Sequence, residues 1–163
     1  MTENYGNKSN GPSRILIYGF GNPGRRDDGL GPVFVERLEF WARENKLENL
    51  SFETAYQLNI EDALMVSEFD VVIFADADTE GGPFRFDVLR PAAAASFSTH
   101  EMPPEAVLAL CGQLYSRVPE ARILGIRGYS WETGEGLSEA AAANLHAALE
   151  HLKTVLAGPL DVF

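Results

Sequence analysis

Residues Ile15–Pro32 read ILIYGFGNPGRRDDGLGP, and this stretch decides how the rest of the chain is understood. Arg14–Tyr18, RILIY, is a short apolar run ending at a glycine, the pattern of a buried strand. Leu30, Phe34, Leu38 and Trp41 then recur at helical spacing on one face, with Pro32 tolerated in the first turn. A strand, a glycine-rich loop and a helix therefore open the chain. The question is whether the loop between them holds an anion or a cation.

The alternation continues outward. LSFETAY (50–56) predicts a second strand, IEDALMVS (60–67) a short helix, and DVVIFADA (70–77) a buried strand that is uncharged until Asp76. In PFRFDVLRP the period changes: Phe84, Phe86 and Val88 alternate with Arg85 and Asp87, which predicts a half-exposed strand at a sheet edge. PPEAVLALCGQLY (103–115) predicts a helix with Val107, Leu110, Cys111 and Leu114 on one face, and ARILGIRG (121–128) another buried strand. A last helix is expected over 139–157, capped by Ser138, striped by Leu145, Ala148, Leu149, Leu152, Val155 and Leu156, and stopped by Gly158 and Pro159. Strands alternating with helices imply a three-layer α/β/α sandwich. Its sheet is expected to be mostly parallel and twisted, of about five strands, with one antiparallel edge strand. In such sheets sites form beyond the carboxyl ends of the strands.

A chain of 163 residues predicts one α/β domain, over 14–163, behind a flexible polar tail, 1–13. A net charge of -11 disfavours nucleic acid and anionic membranes as partners, since both would be repelled. The opening MTENYGNKSNGPSR lacks the apolar run of a secretory signal, and no segment reaches membrane-span length, so a cytoplasmic location is expected. The single cysteine, Cys111, falls in an apolar helical pattern and reads as a buried small hydrophobe.

Three readings of the opening loop compete. Gly19, Gly21 and Gly24 fit the dinucleotide fingerprint G-x-G-x-x-G. Pro23, however, removes an amide donor, and Asp27 and Asp28 would face a dianion. At about 5 Å and an effective dielectric near 20, each such contact costs roughly 3 kcal/mol. GFGNPG also resembles the start of bacterial peptidyl-tRNA hydrolases, but no histidine follows until His100, and the acidic chain suits no tRNA. The third reading is a cation: Asp28, Asp76 and His100 supply two carboxylates and an imidazole, a donor set suited to borderline divalent ions. The residues also have plainer readings. Asp28 would suit a helix N-cap, Asp27 a cap or a partner for Arg25 or Arg26, and Asp76 a turn, with Asp78 competing for its role. Asn22 suits a tight turn at positive φ. His146 and His151 fall on or beside the polar face of the last helix. Tyr129 and Trp131 read as a substrate grip or as packing.

The opening stretch resembles the first motif of the hydrogenase maturation endopeptidases, roughly G-x-G-N-x-x-x-x-D-[DE]-G-x-G. VVIFADA resembles their second motif and STHEMPPEAVLAL their third, in the same order. The resemblance implies an endopeptidase that removes a C-terminal extension from the nickel-loaded large-subunit precursor of a [NiFe]-hydrogenase. It places the metal-binding and catalytic roles on Asp28, Asp76 and His100, and implies Ni2+ supplied by the precursor, with other divalent ions able to occupy the site. In one segment the chain departs: many members carry Asp-Gly-Gly after the second strand, where this chain has ETAYQLNIEDA, with a neutral Gln57 and a nearby Glu53. A non-catalytic metal-binding or chaperone module would use the same three residues. Oligomeric state, the hydrogenase served and the bond cut are not encoded in these motifs.

Overall fold

The computed structural model describes residues 11–93 and 102–159. Among these residues five strands form one sheet: β1 (Ile15–Phe20), β2 (Leu50–Ala55), β3 (Val71–Asp78), β4 (Phe84–Leu89) and β5 (Glu120–Arg127). Their order is β2-β1-β3-β5-β4. All neighbours run parallel except β4, which pairs antiparallel with β5 at one edge. Among the described residues four helices cover the sheet: α1 (Leu30–Glu44), α2 (Asp62–Ser67), α3 (Pro104–Tyr115) and α4 (Glu139–Ala157). This is the expected sandwich with its antiparallel edge.

Period-two alternation inside the apolar strands divides the core in two. Ile15 and Ile17 of β1 face a cluster built with α1 and α4, while Leu16 and Tyr18 face a second cluster built with α2 and α3. Each fully buried Leu, Ile or Phe in these clusters contributes about 1.5–3 kcal/mol. Leu30, Phe34 and Leu38 bury the predicted stripe of α1, and Leu145, Ala148, Leu149, Leu152 and Leu156 that of α4. The Ser138 hydroxyl caps α4 by accepting from the Ala141 amide at 3.3 Å.

Two side chains depart from the pattern. Leu114 is 57% exposed at the end of α3, where α2, only six residues long, provides no cover. Val88 is 53% exposed although Phe84 and Phe86, on the same strand face, pack against His151 of α4. The opposite parity of the strand buries Leu89 in the second cluster.

The topology contains one point where successive connections leave in opposite directions. From β1 the chain passes through α1 to β2 on one side, and β3 then returns to the other side of β1. The carboxyl ends of β1 and β3 thus meet where α1 and α2 diverge to opposite faces, and a crevice forms there.

Candidate functional site

The glycines of the opening loop serve packing. A Cβ on Gly19 would run into the carbonyl of Gly31, and one on Gly31 would run into the carbonyls of Ala75 and Phe20. The start of α1 therefore lies directly on the backbones of β1 and β3. Gly21 adopts φ 139°, beneath the carbonyl of Asp28, and Gly29 lies against Pro23, where a Cβ would come within 2.7 Å of the proline Cα. These contacts fold the loop back on itself, and a 3-10 turn (Arg26–Gly29), not a helix N-terminus, follows it. Asn22 shapes the loop by another route than positive φ: its Oδ1 accepts from the Gly24 amide at 2.9 Å. The left-handed position falls on Arg26, at φ 48°.

Asp28 does not cap α1, which has no side-chain cap. Its Oδ2 instead accepts from the Asn22 amide at 2.9 Å. At the end of β3, Asp76 accepts the Ala77 amide on Oδ1 at 2.8 Å. Asp28 and Asp76 line the same cavity, of about 350 Å³, together with Phe20, Gly21, Tyr56, Gln57, Leu58 and the start of α3 at Met102–Pro104. Gln57 follows β2 and lines the wall, in the segment that departs from Asp-Gly-Gly. Glu53 is exposed on β2, in register with Tyr18.

His100 lies outside the described residues. Among the described residues no group of three His, Cys, Asp or Glu side chains is arranged to hold a metal ion; they contain two members of the expected trio.

The neighbouring acids are committed elsewhere. Asp78 pairs with Arg85 of β4 at 2.7 Å. Burial pushes its carboxyl up, but the hydrogen bond and charge of Arg85, with the Glu80 and Thr79 amides, bring it below the usual carboxylate range. Asp27, expected to cap a helix or pair with an arginine, does neither. It is fully buried and accepts four hydrogen bonds: on Oδ2 from the amides of Tyr129 (2.8 Å) and Ser130 (2.9 Å) and from the Ser138 hydroxyl (2.7 Å), and on Oδ1 from the Ser138 amide (2.8 Å). Burial raises its pKa, but these donors outweigh burial and hold it below the usual range. Backbone bonds from Arg26 N to the Gly134 carbonyl and from Gly134 N to the Gly24 carbonyl complete the fastening. The loop bearing Asp28 is thus clamped to the segment between β5 and α4.

That segment explains Tyr129 and Trp131. Trp131 packs over Gly128, where a Cβ would meet its ring at 2.8 Å. The Tyr129 hydroxyl accepts from Asn144 at 3.1 Å and its ring lies under Arg127. Neither lines the acid cavity. Cys111 is buried, its thiol donating to the Ala63 carbonyl at 3.3 Å, and burial pushes its pKa up to about 11, away from a nucleophilic thiolate. His146 and His151 are exposed on α4.

The fold and its crevice define an α/β protein with acidic side chains at the carboxyl ends of two adjacent parallel strands. Solved structures that superpose on this architecture include several hydrogenase maturation proteases. The [NiFe] hydrogenase maturation protease HycI from Thermococcus kodakarensis KOD1 superposes with TM-score 0.70 at 23% identity, covering 91% of this chain and 96% of that one. The hydrogenase maturating endopeptidase HybD from E. coli does so with TM-score 0.66 at 23% identity, covering 88% and 92%. A hydrogenase 2 maturation peptidase from Thaumarchaeota archaeon SCGC_AB-539-E09 gives TM-score 0.65 at 24% identity, covering 88% and 98%. No family model matches the chain, and no curated protein matches its sequence. The chain therefore has the fold of the hydrogenase maturation proteases over nearly its whole length.

Proposed function

We propose that this chain is a hydrogenase maturation endopeptidase, which removes a C-terminal extension from the nickel-loaded large-subunit precursor of a [NiFe]-hydrogenase. The observation that carries this reading is the cavity lined by both Asp28, in the turn that follows β1, and Asp76, at the end of β3, in a fold shared with proteases of that class. The nickel arrives as part of the substrate and supplies Lewis acidity toward the scissile carbonyl or a water. Carboxylate oxygens from Asp28 and Asp76, on the lining of one cavity, fit a divalent ion. Asp28, oriented by the Asn22 amide through Oδ2, would be one of the carboxylates that hold the ion. Asp76, at the end of the neighbouring strand β3, would be the second ligand and His100 the third. Gln57 is neutral and acts as a hydrogen-bonding wall, not as a general base.

The test is incubation with nickel-loaded and nickel-free precursor, read by mass spectrometry. Loss of a C-terminal peptide from the loaded precursor alone is the expected result. Asp28→Asn and His100→Ala should each abolish that loss. A precursor that stays whole while the protein binds nickel would favour a non-catalytic metal-binding module instead.

A further inference from the structure

We infer that the precursor tail binds in extended form along the open edge of β2 and seats one apolar side chain in a hollow beside the acid cavity; this rests on the proteolytic reading above. β2 is the terminal strand of the sheet, with β1 on its inner side. The amide of Ile15 donates to the Asn49 carbonyl at 3.0 Å, and that of Gly21 to the Ala55 carbonyl at 3.0 Å. In parallel pairing the N–H and C=O of one residue point the same way. The register of Ile15 with Leu50 and Ile17 with Phe52 therefore turns the backbone groups of Ser51, Glu53 and Ala55 toward β1. Those of Phe52 and Thr54 turn outward, to the edge that no described strand covers. An added strand gains main-chain hydrogen bonds there, whatever its side chains.

The edge leads to a recognition pocket. At the carboxyl end of β2 lies a hollow of about 300 Å³, lined by Gly21, Pro23, Pro32, Thr54, Ala55 and Tyr56. None of these side chains is charged, and two proline rings, a methyl group and a tyrosine ring dominate the wall, so the hollow takes an apolar side chain. Tyr56 is 74% exposed, a large ring surface that a bound peptide would cover. Gly21 and Tyr56 also line the cavity that holds Asp28 and Asp76. A side chain anchored in the hollow belongs to a residue flanking the peptide bond presented to the two acids. Anchoring beside the reacting bond is the geometry that makes hydrolysis effectively unimolecular.

The closing experiment measures cleavage of nickel-loaded precursor by the full chain and by Thr54→Pro, Tyr56→Ala and Tyr56→Phe. Proline at Thr54 removes an outward amide and no bond to β1, and edge strands tolerate proline at such positions. Thr54→Pro and Tyr56→Ala should each raise KM about tenfold with kcat held within about twofold, the signature of lost uniform binding. Tyr56→Phe, which keeps the ring, should restore the wild-type KM. Because Thr54→Pro can fail to fold, Tyr56→Ala and the amide shifts of Phe52 and Thr54 in labelled wild-type protein, titrated with a peptide of the precursor C-terminus, carry the test independently. Cleavage with unchanged KM in Tyr56→Ala and unmoved amides would overturn the groove assignment alone. A precursor left whole by the wild-type chain would overturn the proteolytic reading and the groove with it.

Discussion

Replacing Asp27 with Asn is an isosteric change that probes the clamp beneath the candidate site. An amide has one acceptor oxygen and one donor NH2. The oxygen must occupy the Oδ2 position, where three donors converge from Tyr129, Ser130 and Ser138. The NH2 group then faces the Ser138 amide, donor against donor. Three charge-assisted hydrogen bonds become neutral ones, a loss of about 1 kcal/mol each, and one buried amide is left unsatisfied at about 1–3 kcal/mol. Relief of the buried charge offsets part of this, so a net cost of about 3 kcal/mol is expected. For a chain of this size that lowers Tm by about 6–12 °C, measured by thermal unfolding at pH 7. The loss should be shared by Ser138→Ala, which removes one donor to Asp27 and the α4 cap, at about 1–2 kcal/mol. A Tm for Asp27→Asn within about 2 °C of wild type would refute the clamp.

The remaining predictions concern the acids and the glycines. Asp28→Asn and Asp76→Asn should each abolish precursor cleavage, and Asp28→Asn should melt within about 2 °C of wild type, because an Asn oxygen still accepts from the Asn22 amide. Asp27 and Asp78 both have pKa values depressed in the folded state, so each contributes stability above its unfolded pKa near 4 that is lost as pH falls through the folded value. Urea midpoints should therefore drop on acidification below about pH 4, and drop less steeply in Asp27→Asn. Gly24→Ala should be nearly neutral, since its Cβ would meet only the Asn22 side chain at 3.1 Å, whereas Gly21→Ala and Gly31→Ala should cost several-fold more by urea unfolding. Cys111→Ala should keep full cleavage activity and lose about 1 kcal/mol of stability through its small buried volume.

Much of the fold was legible because hydrophobic period is a local property. The continuous run of β1, the alternation of β4 and the stripe of α4 each announce their element, and Ser138 and Gly158 bound the last helix within a residue. The exposure of Leu114 and Val88 was not legible, because periodicity defines a face but not how far a neighbouring element extends over it. At the candidate site, the acids at strand ends pointed to Asp28 and Asp76, and topology brings both to one cavity.

The sequence by itself determined the order and type of the elements and the acidic chemistry at the ends of two strands, since these follow from side-chain pattern and charge. Tertiary structure alone decided what Asp27 does, spent as a buried clamp and not as a helix cap or an arginine partner. Asp27 is bound by backbone amides more than 100 residues away, and backbone donors are the same whatever residues carry them. The glycine spacing shows the same division: the letters fit a dinucleotide loop, while the close approach of Gly31 to Ala75 exists only once β3 lies beside β1.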